Sequence, residues 1–347
     1  MKAFCRCFLI LLCAHFTFAQ ELKLAHLPEP VTNNAVTGLK IRGSALLFSF
    51  MGIGPKKTSE AITSKAYYLD PDWDQWYPLK PMPGTAGRLG AAAAAARGAI
   101  FVFGGYVVDE QGRGLVVSDA DVYDLEAKRW SLAEEMPTPV ADAVVGVYRD
   151  RYIYVIGGRG KTSIVNQVQV YDAETNRWSA ATEPPGTAVF GQSGAILDDT
   201  IIYVDGAYSD ASSRVLTSDQ CWLGKISRKD PRKIEWSTLP EHPGAARFRI
   251  AAGASDKDHK IYFTGGTDNP YDFTGVGYDG KPAEPSPTTF AFDLHTGKWE
   301  LINDKTPNPT MDNHVLLVIR DNLVTAGGME KDQKVTARVA LMPLKAK

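Results

Sequence analysis

One pattern constrains the fold of this chain more than any other: an aspartate followed six residues later by a tryptophan, repeated five times. The pairs are Asp70 with Trp76, Asp124 with Trp130, Asp172 with Trp178, Asp230 with Trp236, and Asp293 with Trp299. Upstream of each pair is a short apolar run that ends in glycine: "LLFSFMGIG", "IFVFGG", "YIYVIGG", "IIYVDG" and "IYFTGG". A sixth run, "NLVTAGG", stands near the C-terminus. The runs are rich in Val, Ile, Tyr and Phe and are bounded by turn residues, so each unit reads as four antiparallel strands. A repeat of about 50 to 60 residues is that of propeller blades. One blade cannot bury both faces of its sheet, whereas six stacked radially can.

Each part of the unit has a physical task. The aspartate opens a tight turn between the third and fourth strands, where its carboxylate can accept a hydrogen bond from the backbone two residues on. Asn176 or Gly297 supplies the left-handed position of that turn. Tryptophan then starts the outer strand, and the glycines end the second strand where backbones crowd. The segment "GAAAAAARG", residues 90–98, has high helix propensity. It nevertheless fills the slot of an innermost strand, where only small residues fit around an axis, so a strand is expected there. The sixth unit stops after "TARVALMPLKAK" with no Asp and Trp. The segment "ELKLAHLPEP" at residues 21–30 aligns with "WSLAEEMPTP", so the N-terminal strand is expected to complete the last blade and leave the ring without a free edge. The fold expected is all-β, a six-bladed propeller over residues 20–347.

The first nineteen residues read as a secretion signal. Lys2 and Arg6 precede an apolar stretch too short to span a membrane, and Thr17 and Ala19 give the spacing of a cleavage site, so a periplasmic or secreted product is expected. Cleavage there removes Cys5, Cys7 and Cys13 and leaves Cys221 alone, so no internal disulfide is expected and packing must supply stability. With 38 basic residues against 40 acidic and no long run of either sign, nothing suggests nucleic acid or an anionic membrane as a partner.

In a four-stranded blade, the loops joining strand two to three and strand four to the next blade's strand one emerge on one face, around the mouth of the channel. That places Arg88, Arg247, Arg249, Asp312, Asn313 and His314 ahead of the inner strands. Lys161, Tyr208, Arg214, Asp268, Asn269, Tyr271 and Glu330 follow the glycines. The stretch from Thr267 to about Thr288 is too long for a mere connection and reads as a lid or binding loop. Several arginines at one mouth suit a carboxylate, which the guanidinium fork binds through two parallel hydrogen bonds.

The paired glycines, the neighbouring aromatics and the spaced tryptophan resemble those of Kelch repeats, a family whose propellers serve both as enzymes and as binding modules. Together with the export signal and N-terminal closure, they resemble the N-acetylneuraminate epimerase family, the periplasmic sialic acid mutarotases. "PGTAGRLG" is similar to that family's Pro-Arg segment, matched by Arg88, and "DGAYSDASSRV" to its blade-four loop, matched by Arg214. Two features depart from it: "GGRGKTSIVNQVQVYD" has no long helical insertion, and Ala207 stands where the family has glutamate. The resemblance implies binding of a small acidic sugar and anomer exchange without a cofactor, in which a base takes the anomeric proton and an acid protonates the ring oxygen. By position, Asp268 and Glu330 are the candidates for acid and base. Arg88, Arg214, Arg247, Arg249, Lys161, Asn269, Tyr271 and His314 are the candidates for substrate binding. The alternative is a non-catalytic module that binds a glycan or a protein through the same mouth.

Galactose oxidase is also a Kelch propeller, but its copper needs a cysteine joined to a tyrosine and two histidines. Here Cys221 lies beside Trp222 in an expected strand and His314 is the one histidine clearly at the mouth, so no metal is expected. Dinucleotide, Cys-x-x-Cys and Gly-x-Ser-x-Gly motifs give other enzyme classes no footing.

Overall fold

In a computed structural model, which describes residues 22–41, 43–84 and 87–344, the chain forms six antiparallel sheets around a central channel. The leader segment expected at residues 1–19 lies outside the described residues. Five sheets have four strands and the last has three. The innermost strands are Ala35–Ile41, Ala92–Ala96, Val144–Tyr148, Ser193–Leu197, Ala251–Ser255 and Leu317–Ile319. The alanine run is thus a strand: next to the axis, the small Cβ that favours a helix in isolation is what lets neighbouring backbones approach.

The repeat does in each blade what its residue types predict. Asp70, Asp124, Asp172, Asp230 and Asp293 each accept a hydrogen bond from the backbone N–H two residues on, at 2.8–3.1 Å. Each of the five tryptophans donates its indole N–H to a backbone carbonyl of the preceding blade. Trp130 reaches Lys80, Trp178 reaches Glu134, Trp236 reaches Thr182 and Trp299 reaches Pro240, all within 2.9 Å. The indole therefore binds adjacent blades through a directional bond as well as through its buried face. Aromatic contacts follow the same seam: Trp130 meets Phe50 of the preceding blade at 5.6 Å, and Trp178 meets Phe103 at 5.2 Å. The core accordingly lies between sheets, as a series of clusters around the ring.

Closure follows from this arithmetic. Trp76 of blade one has no preceding four-stranded blade, and its indole N–H donates to the Ala25 carbonyl at 2.8 Å. Leu27 N–H donates to the Ala337 carbonyl at 2.8 Å, the bond that Met136 makes to Ser118 and Met82 to Ser64 in complete blades. The N-terminal segment thus stands in the outer slot of the sixth blade, with Leu24, Leu27 and Val31 buried against Val324 and Val339. Residues 22–27 do not form a ladder of their own, so the slot is filled by an extended segment and not by a regular strand.

Three short hairpins rise on the mouth face from the loops after the glycines: Tyr106–Val108 with Gly114–Val116, Ala207–Ser209 with Val215–Thr217, and Met329–Glu330 with Lys334–Val335. In blade three the second and third strands continue upward together to Arg159 and Ile164.

Candidate functional site

The mouth is built on a backbone rule that repeats in all six blades. The residue after the glycine position bridges to the residue two before the inner strand's small-residue run: Ile53 with Thr32, Tyr106 with Leu89, Arg159 with Ala141, Ala207 with Phe190, Thr267 with Phe248, and Met329 with Met311. The residue that follows each bridge has positive φ: Asn33, Gly90, Asp142, Gly191, Arg249 and Asp312, at 52–72°. Left-handed backbone is costly for a side chain other than Gly, Asn or Asp, so Arg249 at φ 52° must be held by its surroundings.

It is held by carboxylates from two other blades. Arg249 is 2% exposed; Nη1 donates to Asp312 Oδ1 at 2.5 Å and Nη2 to Asp142 Oδ2 at 3.0 Å, while the guanidinium lies over Phe248 and Tyr271. Asp312, fully buried, also accepts from Thr32 Oγ1 at 2.5 Å, from Asn33 Nδ2 and from Tyr271 OH at 3.1 Å. Burial opposes the charge on Arg249, but the two carboxylates outweigh it and keep the guanidinium protonated well above its ordinary value. For Asp142, burial likewise favours the neutral acid, yet Arg249 and then His314 hold its carboxyl well below the usual carboxylate range. Blades one, three, five and six are therefore tied across the axis by one ionic knot.

Most of the residues expected to face a ligand are engaged in this way. Arg88 is buried, with Nη2 on Asp121 at 2.7 Å and Nη1 on Asp119 at 2.9 Å. Arg247 is buried over the Phe290 ring and donates from Nη1 to the Gly265 carbonyl at 2.8 Å; burial pulls its pKa down to about 10 against the pull of Asp205. Tyr271 is fully buried in the knot, and His314 Nε2 stands 3.4 Å from Asp142. Arg214 is exposed, but it is turned back onto Asp210 of its own hairpin at 2.7 Å. Asn269 donates to Asp279 within the long loop at 3.0 Å, and Asn313 to Thr310 at 2.9 Å. Of the proposed acid and base, Glu330 accepts from Arg338 at 2.7 Å and from Thr336 at 3.1 Å. Burial raises its carboxyl, but Arg338 outweighs this and leaves it lowered. Asp268 is exposed on the blade-five loop. The structure does not bring Asp268 and Glu330 together with the arginines around one cavity.

A different group does converge. A cleft of about 610 Å³ opens between the blade-three hairpin and the blade-four hairpin and is lined by Arg159, Lys161, Phe190, Tyr208 and Tyr278, with Thr162, Ser163 and Thr187 among its polar walls. Arg159 and Lys161 are exposed, and neither forms an ion pair or a side-chain hydrogen bond among the described residues. Phe190 meets Tyr278 edge to face at 6.4 Å, and Tyr278 is 44% exposed. Burial raises the phenol's pKa, with Arg249 and Arg159 pulling the other way. Among the described residues, no carboxylate lines this cleft. Its chemistry is that of an anion site with aromatic faces: two free cations, hydroxyls, and apolar rings.

Lys161 and Tyr208 were legible as mouth residues, whereas Arg159, Phe190 and Tyr278 were missed. Arg159 had a signal, because it immediately follows Gly157 and Gly158 in the slot from which every mouth loop departs. Tyr278 lay within the long loop read as a lid or binding loop but was not singled out; it arrives from blade five across the mouth because Tyr271 bridges to Gly277 and turns the loop back. Among the described residues, no group of His, Cys, Asp and Glu could hold a metal ion, and no helix is long and apolar enough to cross a membrane.

Residues 41–266 match the KLHDC2/KLHL20/DRC7 Kelch-repeats domain. Among curated proteins, Beta-scruin of Limulus polyphemus is similar, at 28% identity over 114 residues, which is 32% of this chain and 12% of that protein. The chain thus spans only a small part of that relative's length. Among solved structures, one described as "Structure of YjhT" superposes with a TM-score of 0.74, covering 92% of this chain and 97% of that one at 18% identity. That similarity is one of fold.

Proposed function

The chain belongs to the KLHDC2/KLHL20/DRC7 Kelch-repeats family, and from that premise we propose that it is an exported propeller that binds a small carboxylated sugar in the cleft between blades three and four. The observation that carries this reading is the pair Arg159 and Lys161, two cations free of protein partners, set among Phe190, Tyr208 and Tyr278. A carboxylate takes the cations, hydroxyl groups take Thr162 and Ser163, and the apolar face of a pyranose lies on the rings. The similarity to the sialic acid mutarotases noted above favours N-acetylneuraminate over other acidic sugars. The leader at residues 1–19 supports a periplasmic or secreted location.

Binding without chemistry is the reading adopted. Anomer exchange needs an acid and a base within reach of the sugar ring; no carboxylate or histidine of the described residues lines the cleft, and Lys161, Tyr208 and Tyr278 are the groups that would have to serve. The test is titration calorimetry with N-acetylneuraminate, using N-acetylmannosamine as the uncharged control. Each of Arg159→Ala and Lys161→Ala should weaken binding by about ten- to a hundredfold, the equivalent of one charge-assisted hydrogen bond. Arg214→Ala should leave it unchanged. Equal affinity for the neutral sugar, or no effect of either cleft variant, would remove the reading. Acceleration of anomer equilibration by exchange NMR would replace it with the catalytic one.

A further inference from the structure

The opposite face of the ring carries a second cavity, distinct from the cleft. On that face lies a space of about 790 Å³ whose inner walls are small and aliphatic, including Gly38, Ala95, Val147, Ile196 and Leu317 from the innermost strands, and whose outer rim is polar and charged, with Lys40, Asp72, Asp256, Lys257, Arg320 and Asp321. At its inner end lies a pocket of about 20 Å³, which shares the walls Ala93, Val145, Gly194 and Val315 with the larger space and adds Gln192 and His314. The knot of Arg249, Asp142 and Asp312 closes the axis beyond them, so the channel is a blind tube.

The end of that tube is polar and unsatisfied. Gln192 is 2% exposed; its Nε2 donates to the Ile156 carbonyl at 2.8 Å, whereas its Oε1 has no hydrogen-bond partner among the described residues. His314 Nε2 makes no hydrogen bond either, though it faces Asp142 at 3.4 Å. A buried acceptor left without a donor is destabilising, and native proteins normally satisfy such a group with protein, water or ligand. At the open end the rim charges are already paired, Lys40 with Asp256 at 3.3 Å and Lys257 with Asp321 at 2.5 Å.

We infer that this tube is a binding site for an elongated apolar molecule with one hydrogen-bond donor at its tip, a primary alcohol in the simplest case, whose hydroxyl donates to Gln192 Oε1 while its chain lies along the inner strands. An anionic tip is excluded by the same geometry, because it would bring a charge beside Asp142 and offer Gln192 Oε1 no proton. The site is independent of the sugar cleft, which opens on the other face.

The experiment is a homologous series, n-butanol to n-decanol, titrated into the full propeller and followed by ligand-observed NMR. Affinity should rise about fourfold for each added methylene until the tube is filled, the increment expected for burying a CH₂ group. The methyl ether of the best alcohol and the corresponding carboxylate should each bind at least about tenfold more weakly, the cost of an unmet or repelled acceptor. Gln192→Met should remove the preference for the alcohol over its ether. Ala254→Phe, near the open end and remote from Gln192, should abolish binding of the whole series while the thermal midpoint holds. Affinity that does not grow with chain length, a carboxylate that binds as well as the alcohol, or binding that survives Ala254→Phe in the folded protein would overturn the assignment.

Discussion

Replacing Arg249 with methionine tests whether the arginines of the mouth are ligands or structure. Methionine keeps an apolar stem against Phe248 and Tyr271, so the change is chiefly the loss of one charge. It strands two carboxylates, Asp142 at 2% exposure and Asp312 at none. Removing one partner of a buried ion pair costs about 3–5 kcal/mol, and because a single guanidinium here serves two acids, a loss of at least about 4 kcal/mol at pH 7 is expected. The sign of the pH dependence gives a second readout. In the parent, Asp142 titrates below its unfolded value, so its contribution is complete above about pH 4 and is lost as acid carries the pH down toward the folded value. In the variant, burial is opposed by His314 without Arg249, so that carboxyl rises relative to the parent; the penalty is complete at neutral pH and is relieved as the pH falls through the higher value. The gap between parent and variant should therefore narrow between pH 7 and pH 4. Urea unfolding followed by tryptophan fluorescence at pH 7, 5.5 and 4 measures it, with Arg214→Ala, an exposed pair within one hairpin, expected to leave the midpoint unmoved. A gap under about 1 kcal/mol at pH 7, or one that stays constant across the range, would refute the claim that the knot holds the ring.

Two further outcomes follow from the same packing. Gly191→Ala places a Cβ 2.1 Å from the Phe248 ring on a backbone at φ 61°, so a loss of about 2–4 kcal/mol is expected in the same unfolding assay, and a neutral effect would contradict the tight packing of the mouth. Burial pushes the Cys221 thiol up to about 12, so in the chain from Gln20 onward a thiol reagent at pH 8 should label it only after denaturant is added; rapid labelling of the folded protein would place it elsewhere.

The architecture was legible because its determinants are local. An aspartate that accepts from the backbone two residues later, a tryptophan at the start of an outer strand and a glycine at a crowded turn act within a few residues of themselves, and the six-fold repetition makes each instance vouch for the others. Even the filling of the last blade could be read, since Ala25 is to Trp76 what Glu134 is to Trp178. The departure there is one of regularity: residues 22–27 make the defining contacts without pairing as a strand.

The site was less legible because its determinants are relations across the axis. Arg249 looks the same in the sequence whether it meets a substrate carboxylate or Asp142, 107 residues away, and Asp312, 63 residues away. What decides is the φ-positive position that recurs ahead of every inner strand, which carries whatever side chain it bears toward the centre of the ring. Where that position holds Asp142, Arg249 and Asp312, one guanidinium is shared by two carboxylates; where it holds Gly90 and Gly191, the space a side chain would need is already taken by Asp142 and Phe248. One step farther out, at the residue after the glycines, Arg159 bridges to Ala141 through its backbone, and its guanidinium makes no ion pair among the described residues. The same residue type is thus buried in an ion pair at the one position and exposed on a cleft wall at the other. That division is why arginines at the mouth look alike in the sequence, while in the fold Arg249 sits in the ionic knot and Arg159 lines a cleft.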